Sequence, residues 1–191
     1  MPAAAYAAKS GDAVLFVHRD SVPPETRAAL GSHQQPKIYL LGPPSAIGPK
    51  VETDLKKLGK VVRIAGPDPV QNAIAFARYA DGAFGWGVVD PGHGLVFAAA
   101  GADPQTAAAA APLSASGTYG PLLLVGDAAR VDNTLAQYLL DIQPGYGKDP
   151  VRGVYNHGWI IGDERAVSIA AQSQIDRLLE ISPVNQKNAT P

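Results

Sequence analysis

The sequence has no cysteine, so disulfides and thiolate metal sites are excluded and packing must hold the fold. It has no excess of either charge: 16 Lys and Arg stand against 17 Asp and Glu, for a formal net charge of −1. No basic stripe appears, which argues against a nucleic-acid partner, and an anionic polymer would need a local Lys or Arg cluster. No apolar run approaches the roughly 20 residues of a membrane span. Residues Met1–Asp12 lack the basic region and apolar core of a signal peptide, so an export signal would lie outside this chain. Charged residues are scarce as well, at 17%, while hydrophobic residues reach 46%, a balance that permits a sizeable core and argues against disorder. The 191 residues suit one large domain or two fused small ones. The opening Pro2-Ala3-Ala4-Ala5-Tyr6-Ala7-Ala8-Lys9 reads as the tail of a helix already under way, which predicts that the chain starts inside a longer product.

What is present is a regular alternation. Six short apolar runs occur, at 13–17, 37–42, 60–65, 94–99, 121–125 and 158–162. Each is continuous rather than alternating, as strands buried on both faces of a parallel sheet are. Between them lie helix candidates at 24–30, 49–58, 70–79, 106–115, 133–142 and 168–181, with apolar residues three and four apart. Strand and helix in alternation predict a layered parallel α/β fold with right-handed crossovers.

The pattern also repeats. Ala13-Val14-Leu15-Phe16-Val17 corresponds to Pro121-Leu122-Leu123-Leu124-Val125, and Ile38-Tyr39-Leu40-Leu41-Gly42 to Gly158-Trp159-Ile160-Ile161-Gly162. The second copy carries an insertion at 143–150 before its last strand. The expected organisation is the second half of one repeat over residues 1–59, a complete second repeat with insertions over 60–182, and a C-terminal tail over 183–191.

Residue types that carry chemistry are thinly spread. Gly85-Trp86-Gly87-Val88-Val89-Asp90 gives two glycines of a dinucleotide loop, then an Asp that would repel a pyrophosphate, so the segment reads as a turn-rich connection. Ser114-Ala115-Ser116-Gly117 follows a helix rather than a strand and reads as a helix end capped by Gly117. The four histidines lack metal-ligand spacing; His93 and His157 read as loop-orienting residues, and a metal site of the two with Asp90 is the other reading. Asp68, Asp90, Asp103 and Asp163 follow strand ends or open loops, where carboxylates cap helices and where α/β ligand sites also gather. Phe84, Trp86 and Tyr146 stand among Gly and Pro, where aromatic rings stack on sugars or plug a gap between repeats.

Taken in order, several stretches resemble the cell wall-binding repeat family of Gram-positive bacteria. Val61-Val62-Arg63-Ile64-Ala65-Gly66-Pro67-Asp68 resembles its opening strand and turn, and Ala109-Ala110-Ala111-Pro112-Leu113 its Ala-rich second helix. Pro121-Leu122-Leu123-Leu124 is similar to its Pro-Ile-Leu-Leu strand; 38–42 and 159–162 are similar to its fourth strand and glycine turn. The chain departs from the family at Pro69-Val70, at Thr106-Ala107-Ala108, and where a Gly-Gly turn becomes Gly42-Pro43 and Gly162-Asp163.

The resemblance implies three-layer, Rossmann-like or flavodoxin-like parallel sheets in tandem repeats that come in threes. It implies a non-catalytic surface-anchoring module without cofactor or metal, at the cell wall or outside the cell. The implied partners are an anionic cell-wall polysaccharide and further repeats of the same chain or subunit copies. The implied binding residues are Pro121, Leu122, Leu123 and Leu124, with Arg130 in the following turn; Asp68, Trp86, Asp103, Tyr146 and His157 are the secondary loop candidates. A reading from another class is a small-molecule-binding or enzymatic domain with its site at the strand C-terminal ends.

Overall fold

The computed structural model describes residues 2–116 and 120–184. The first part of the chain forms α1 (Pro2–Ser10), α2 (Pro24–Gly31), β1 (Lys37–Leu41), α3 (Pro49–Leu55) and β2 (Lys60–Ile64). Then come α4 (Pro69–Arg78), β3 (Ala80–Asp81), β4 (Phe84–Gly85), β5 (Gly94–Ala99), α5 (Pro104–Ala115) and β6 (Leu122–Val125). The chain continues through α6 (Asn133–Asp141), β7 (Gly145–Tyr146), β8 (His157–Ile161), α7 (Ile169–Leu179) and β9 (Ser182–Pro183).

Local chemistry sets the helix starts. Proline occupies the first turn of α2, α3 and α4, where its missing N–H is no loss. Asp68, Asp132 and Ser168 cap α4, α6 and α7 by accepting from the N–H of Gln71, Leu135 and Ala171 at 2.8, 2.9 and 3.2 Å. α4, α6 and α7 then turn apolar stripes inward, such as Ala171, Ile175 and Leu179 of α7 at four-residue spacing.

The strands that form from the continuous apolar runs are parallel, as those runs predict. β1 pairs with β2 in the register Lys37 opposite Lys60 through Leu41 opposite Ile64. A second sheet has the order β6-β5-β8, also parallel. Its β5 alternates, with Leu95 and Phe97 facing the cluster of α4, α6 and α7, and Val96 and Ala98 facing Ala5 of α1 and Ala110 of α5. That sheet is therefore covered on both faces, the three-layer arrangement. Burying side chains such as Leu95, Phe97 and Leu123 contributes about 1.5–3 kcal/mol each.

One expected strand is not a strand. Residues 13–17 make no ladder bonds among the described residues, and Val14, Leu15 and Phe16 are exposed, Phe16 by 81%. Its counterpart β6 owes its strand character to β5 alongside, and among the described residues no strand lies beside 13–17. Apolar composition favours a strand, but a ladder needs a partner. Two further differences are local. α3 closes at Leu55, short of the expected 58, and Gly82, with φ +63°, turns an unforeseen antiparallel hairpin of β3 and β4. Gly117, the expected cap of α5, lies outside the described residues.

The duplication is visible in detail. β1 with α3, and β8 with α7, repeat the same path 120 positions apart. Gly42 and Gly162 both sit in left-handed backbone, at φ +144° and +135°. After each, two successive N–H groups return to one carbonyl: Ala46 and Ile47 to Pro43, Ala166 and Val167 to Asp163. The residue before each helix then donates to the turn of the preceding segment, Gly48 to Arg19 O at 2.7 Å and Ser168 to Ala128 O at 2.8 Å.

Candidate functional site

In a parallel sheet every strand delivers its following turn to the same edge, so the C-terminal ends of β5, β6 and β8 form one shared rim. The turn after β6, residues 126–132, is the most built part of that rim. Asp127 accepts from the N–H of Ala129 at 2.9 Å and from Nε of Arg130 at 3.2 Å. Arg130 projects outward, its side chain 75% exposed. The turn is held from beneath by α7: Ala128 O accepts from Ser168 N, and Gln174 Oε1 accepts from Val131 N at 2.8 Å. Buried Val131 anchors its end in the core.

The turn after β8 lies against it through the Ser168–Ala128 bond. There Asp163 accepts from the N–H groups of Arg165 and Ala166, both at 3.1 Å, and from Arg165 Nε at 2.9 Å. The Arg165 guanidinium, with the backbone N–H of Ala166, holds the Asp163 carboxyl below its ordinary range. The rim thus displays two exposed guanidiniums, Arg130 and Arg165, on two turns bonded to each other. Helices α6 and α7 both begin at this edge, and their dipoles add partial positive charge.

The sequence-derived candidates fall in different places. Pro121, Leu122, Leu123 and Leu124 are buried in the sheet, so what they determine is where the 126–132 turn sits. Asp68 caps α4, also accepting from Gln71 Nε2 at 2.7 Å, and Asp103 accepts from Gln105 N at 2.8 Å beyond β5. A Cβ on Gly126 would come within 3.2 Å of Val70, so the start of α4 adjoins the Arg130 turn. Trp86 is elsewhere: Lys9 lies 4.8 Å over its ring, and Tyr6 meets it edge-on. Its neighbour Phe84 stacks flat on Tyr39 of β1 at 3.4 Å, so this aromatic group packs β1 and α1 against α4 and the β3–β4 hairpin. Tyr146 lines a cleft of about 320 Å³ with Lys148, Asp149 and Arg152.

His157 starts β8 at the opposite edge of the sheet from Arg130, where its N–H donates to His93 O at 3.0 Å. His93 Nε2 sits 3.0 Å from Asp90, and among the described residues no cluster of three His, Asp or Glu could hold a metal ion. Sequence reasoning passed over two residues. Asn156 Oδ1 accepts from Gly92 and His93 N–H at 2.9 and 3.1 Å, and its amide donates to Ile142 O at 2.8 Å. Arg165 is the other, and its position just after the Gly162 turn that ends β8 was the available signal.

Residues 63–172 match the family model described as cell wall binding domain 2. Among solved structures, Cwp6 from Clostridium difficile aligns with a TM-score of 0.70 at 17% identity, over 96% of this chain and 26% of that one. Cwp8 from Clostridium difficile aligns at 0.65 and 19% identity, over 96% and 28% respectively. The chain therefore spans about a quarter of the length of these structures, and at this identity they establish the shared fold. No curated protein matches the sequence.

Proposed function

The chain belongs to the cell wall binding domain 2 family and is a cell wall-binding module, and from that premise we propose that it holds an anionic wall polysaccharide on the rim formed by residues 126–132 and 163–168. The observation that carries this reading is the pair of exposed guanidiniums, Arg130 and Arg165, on two mutually bonded turns inside the matched region. Repeating anionic groups meet two fixed cations there, with the starts of α6 and α7 behind them. In this proposal Pro121 to Leu124 act by position, seating the turn from inside the sheet. Asp127 and Asp163 hold each arginine in place until a polymer anion takes over as its partner.

The proposal includes no catalytic step. Asp68, Asp103, Asp127 and Asp163 each accept backbone N–H bonds, the work of caps and turns. Anchoring needs only binding, and repetition of the module along a longer protein would raise avidity without new contacts.

The test is co-sedimentation of the chain with purified cell walls at rising salt. Retention is expected to fall with salt, since exposed charge contacts are screened. Arg130→Ala and Arg165→Ala should each weaken it, and the double variant should abolish it while melting like the parent. Full retention of the double variant at low salt would remove the rim from consideration.

A further inference from the structure

β1 and β8 are the same element twice, yet only β1 is completed on its outer side. The strand that completes it is β2. Pro36 O accepts from Lys60 N, and Gly42 N donates to Ile64 O, so the even-numbered peptide groups of β1 face β2. In β8 it is His157, the counterpart of Lys37, whose N–H points to the strand β5 side, donating to His93 O. Successive peptide groups of a strand point to opposite edges. β5 therefore occupies the edge of β8 opposite to the one that β2 occupies on β1. The edge equivalent to the β2 seat, carrying the peptide groups of Gly158, Ile160 and Gly162, has no strand among the described residues.

That edge opens on a cavity of about 260 Å³ lined by Gly158, Trp159, Ile160, Gln172, Ile175 and Asp176. Their counterparts 120 positions earlier are Ile38, Tyr39, Leu40, Glu52, Leu55 and Lys56. Ile38, Leu40 and Leu55 pack with Val61 of β2 in one cluster, while Glu52 takes Arg63 Nε at 2.8 Å. Arg63 also donates from Nη1 to Gly42 O at 2.6 Å. The described residues do not fill the second seat, because after α7 the chain runs to β9, which pairs with β7.

We propose that the outer edge of β8 is the seat of a parallel strand from another unit of this fold, a strand of the Lys60-Val61-Val62-Arg63-Ile64 type. The occupant's first N–H would bond Asn156 O, and its last carbonyl would bond Gly162 N, as Lys60 and Ile64 do on Pro36 and Gly42. Its arginine meets Gly162 O and a carboxylate on the covering helix. That carboxylate has moved one turn along: Glu52 becomes Gln172, and Lys56 becomes Asp176, which makes no ion pair among the described residues. Exposed Trp159 covers the apolar part of the incoming strand. Units of this fold are thereby joined by lending an opening strand to a neighbour's sheet, independently of which polymer they hold.

The probe is a synthetic peptide with the sequence of residues 59–68, added to the intact chain. Saturable binding is expected, together with slowed hydrogen exchange at the amides of Ile160 and Gly162. The amides of Trp159 and Ile161 face β5 and should be protected with or without peptide. Asp176→Lys should weaken binding about tenfold, and a peptide with Glu in place of its Arg should bind that variant better than it binds the parent. The proposal is overturned if the peptide does not bind, if it binds without protecting Ile160 and Gly162, or if Asp176→Lys leaves binding unchanged.

Discussion

Asn156 gives the sharpest test of how the loops before β5 and β8 are held. The residue is 8% exposed, and its side chain closes three hydrogen bonds, to Gly92 N, His93 N and Ile142 O, tying the β5 entry and the end of α6 to β8. Asn156→Ala removes all three partners at once. Each buried N–H or C=O left unpaired costs about 1–3 kcal/mol. With some access for water at this site, the lower end applies to each, giving a loss of about 3 kcal/mol in total. For a chain of this size, 1 kcal/mol moves the melting temperature by about 2–4 °C, so a fall of about 6–12 °C is expected in thermal melts followed by far-UV circular dichroism. Urea titration should show a lower midpoint with an unchanged slope, because the folded and unfolded states expose the same surface as before. A fall of less than about 3 °C, the ordinary scatter of a surface change, would mean that the three groups find other partners and that Asn156 is no clamp.

Two other outcomes are expected. Lys57 and then Lys50 hold the Asp54 carboxyl down at about 2, and Arg27 of α2 adds a third cation at 3.3 Å. A carboxyl lowered in the folded state stabilises it above the ordinary carboxylate value of about 4, and that contribution is lost as pH falls towards about 2. Asp54→Asn should therefore melt below the parent at neutral pH, and the two curves should converge in acid; a gap independent of pH would contradict the assignment. Gly120→Ala would set a Cβ 1.5 Å from Gly94 O, against backbone that no rotamer can relieve. It should destroy the β5–β6 entry and soluble expression with it. Gly31→Ala has nothing within 4 Å and should fold normally, so a well-folded Gly120→Ala would refute the close approach.

The sequence disclosed most of the frame because the frame rests on local signals. Five of the six apolar runs are strands near the expected limits, since Val, Ile and Leu in unbroken series belong between two layers of helices. The helix starts expected at 24, 49, 70, 133 and 168 lie within one residue of the observed ones, because prolines in first turns and caps such as Asp68 are local signals. The site was less legible. Arg130 stood out because it follows the β6 strand, but its companion Arg165 and its support, Gln174, come from a segment more than thirty residues on. Nothing local in the sequence marks Asn156, whose three partners are contributed by two distant segments.

By itself the sequence determined the alternation of strand and helix, the parallel direction and the duplication of β1 with β8, all carried by residue spacing along the chain. Only the tertiary structure decided which strands have neighbours. Residues 13–17 and β8 read alike as apolar runs, yet among the described residues one is unpaired and the other is paired on one edge, because a ladder bond depends on what stands beside a strand. It also decided that Leu122, Leu123 and Leu124 are interior while Arg130 faces solvent, since burial follows from the layers packed over a strand.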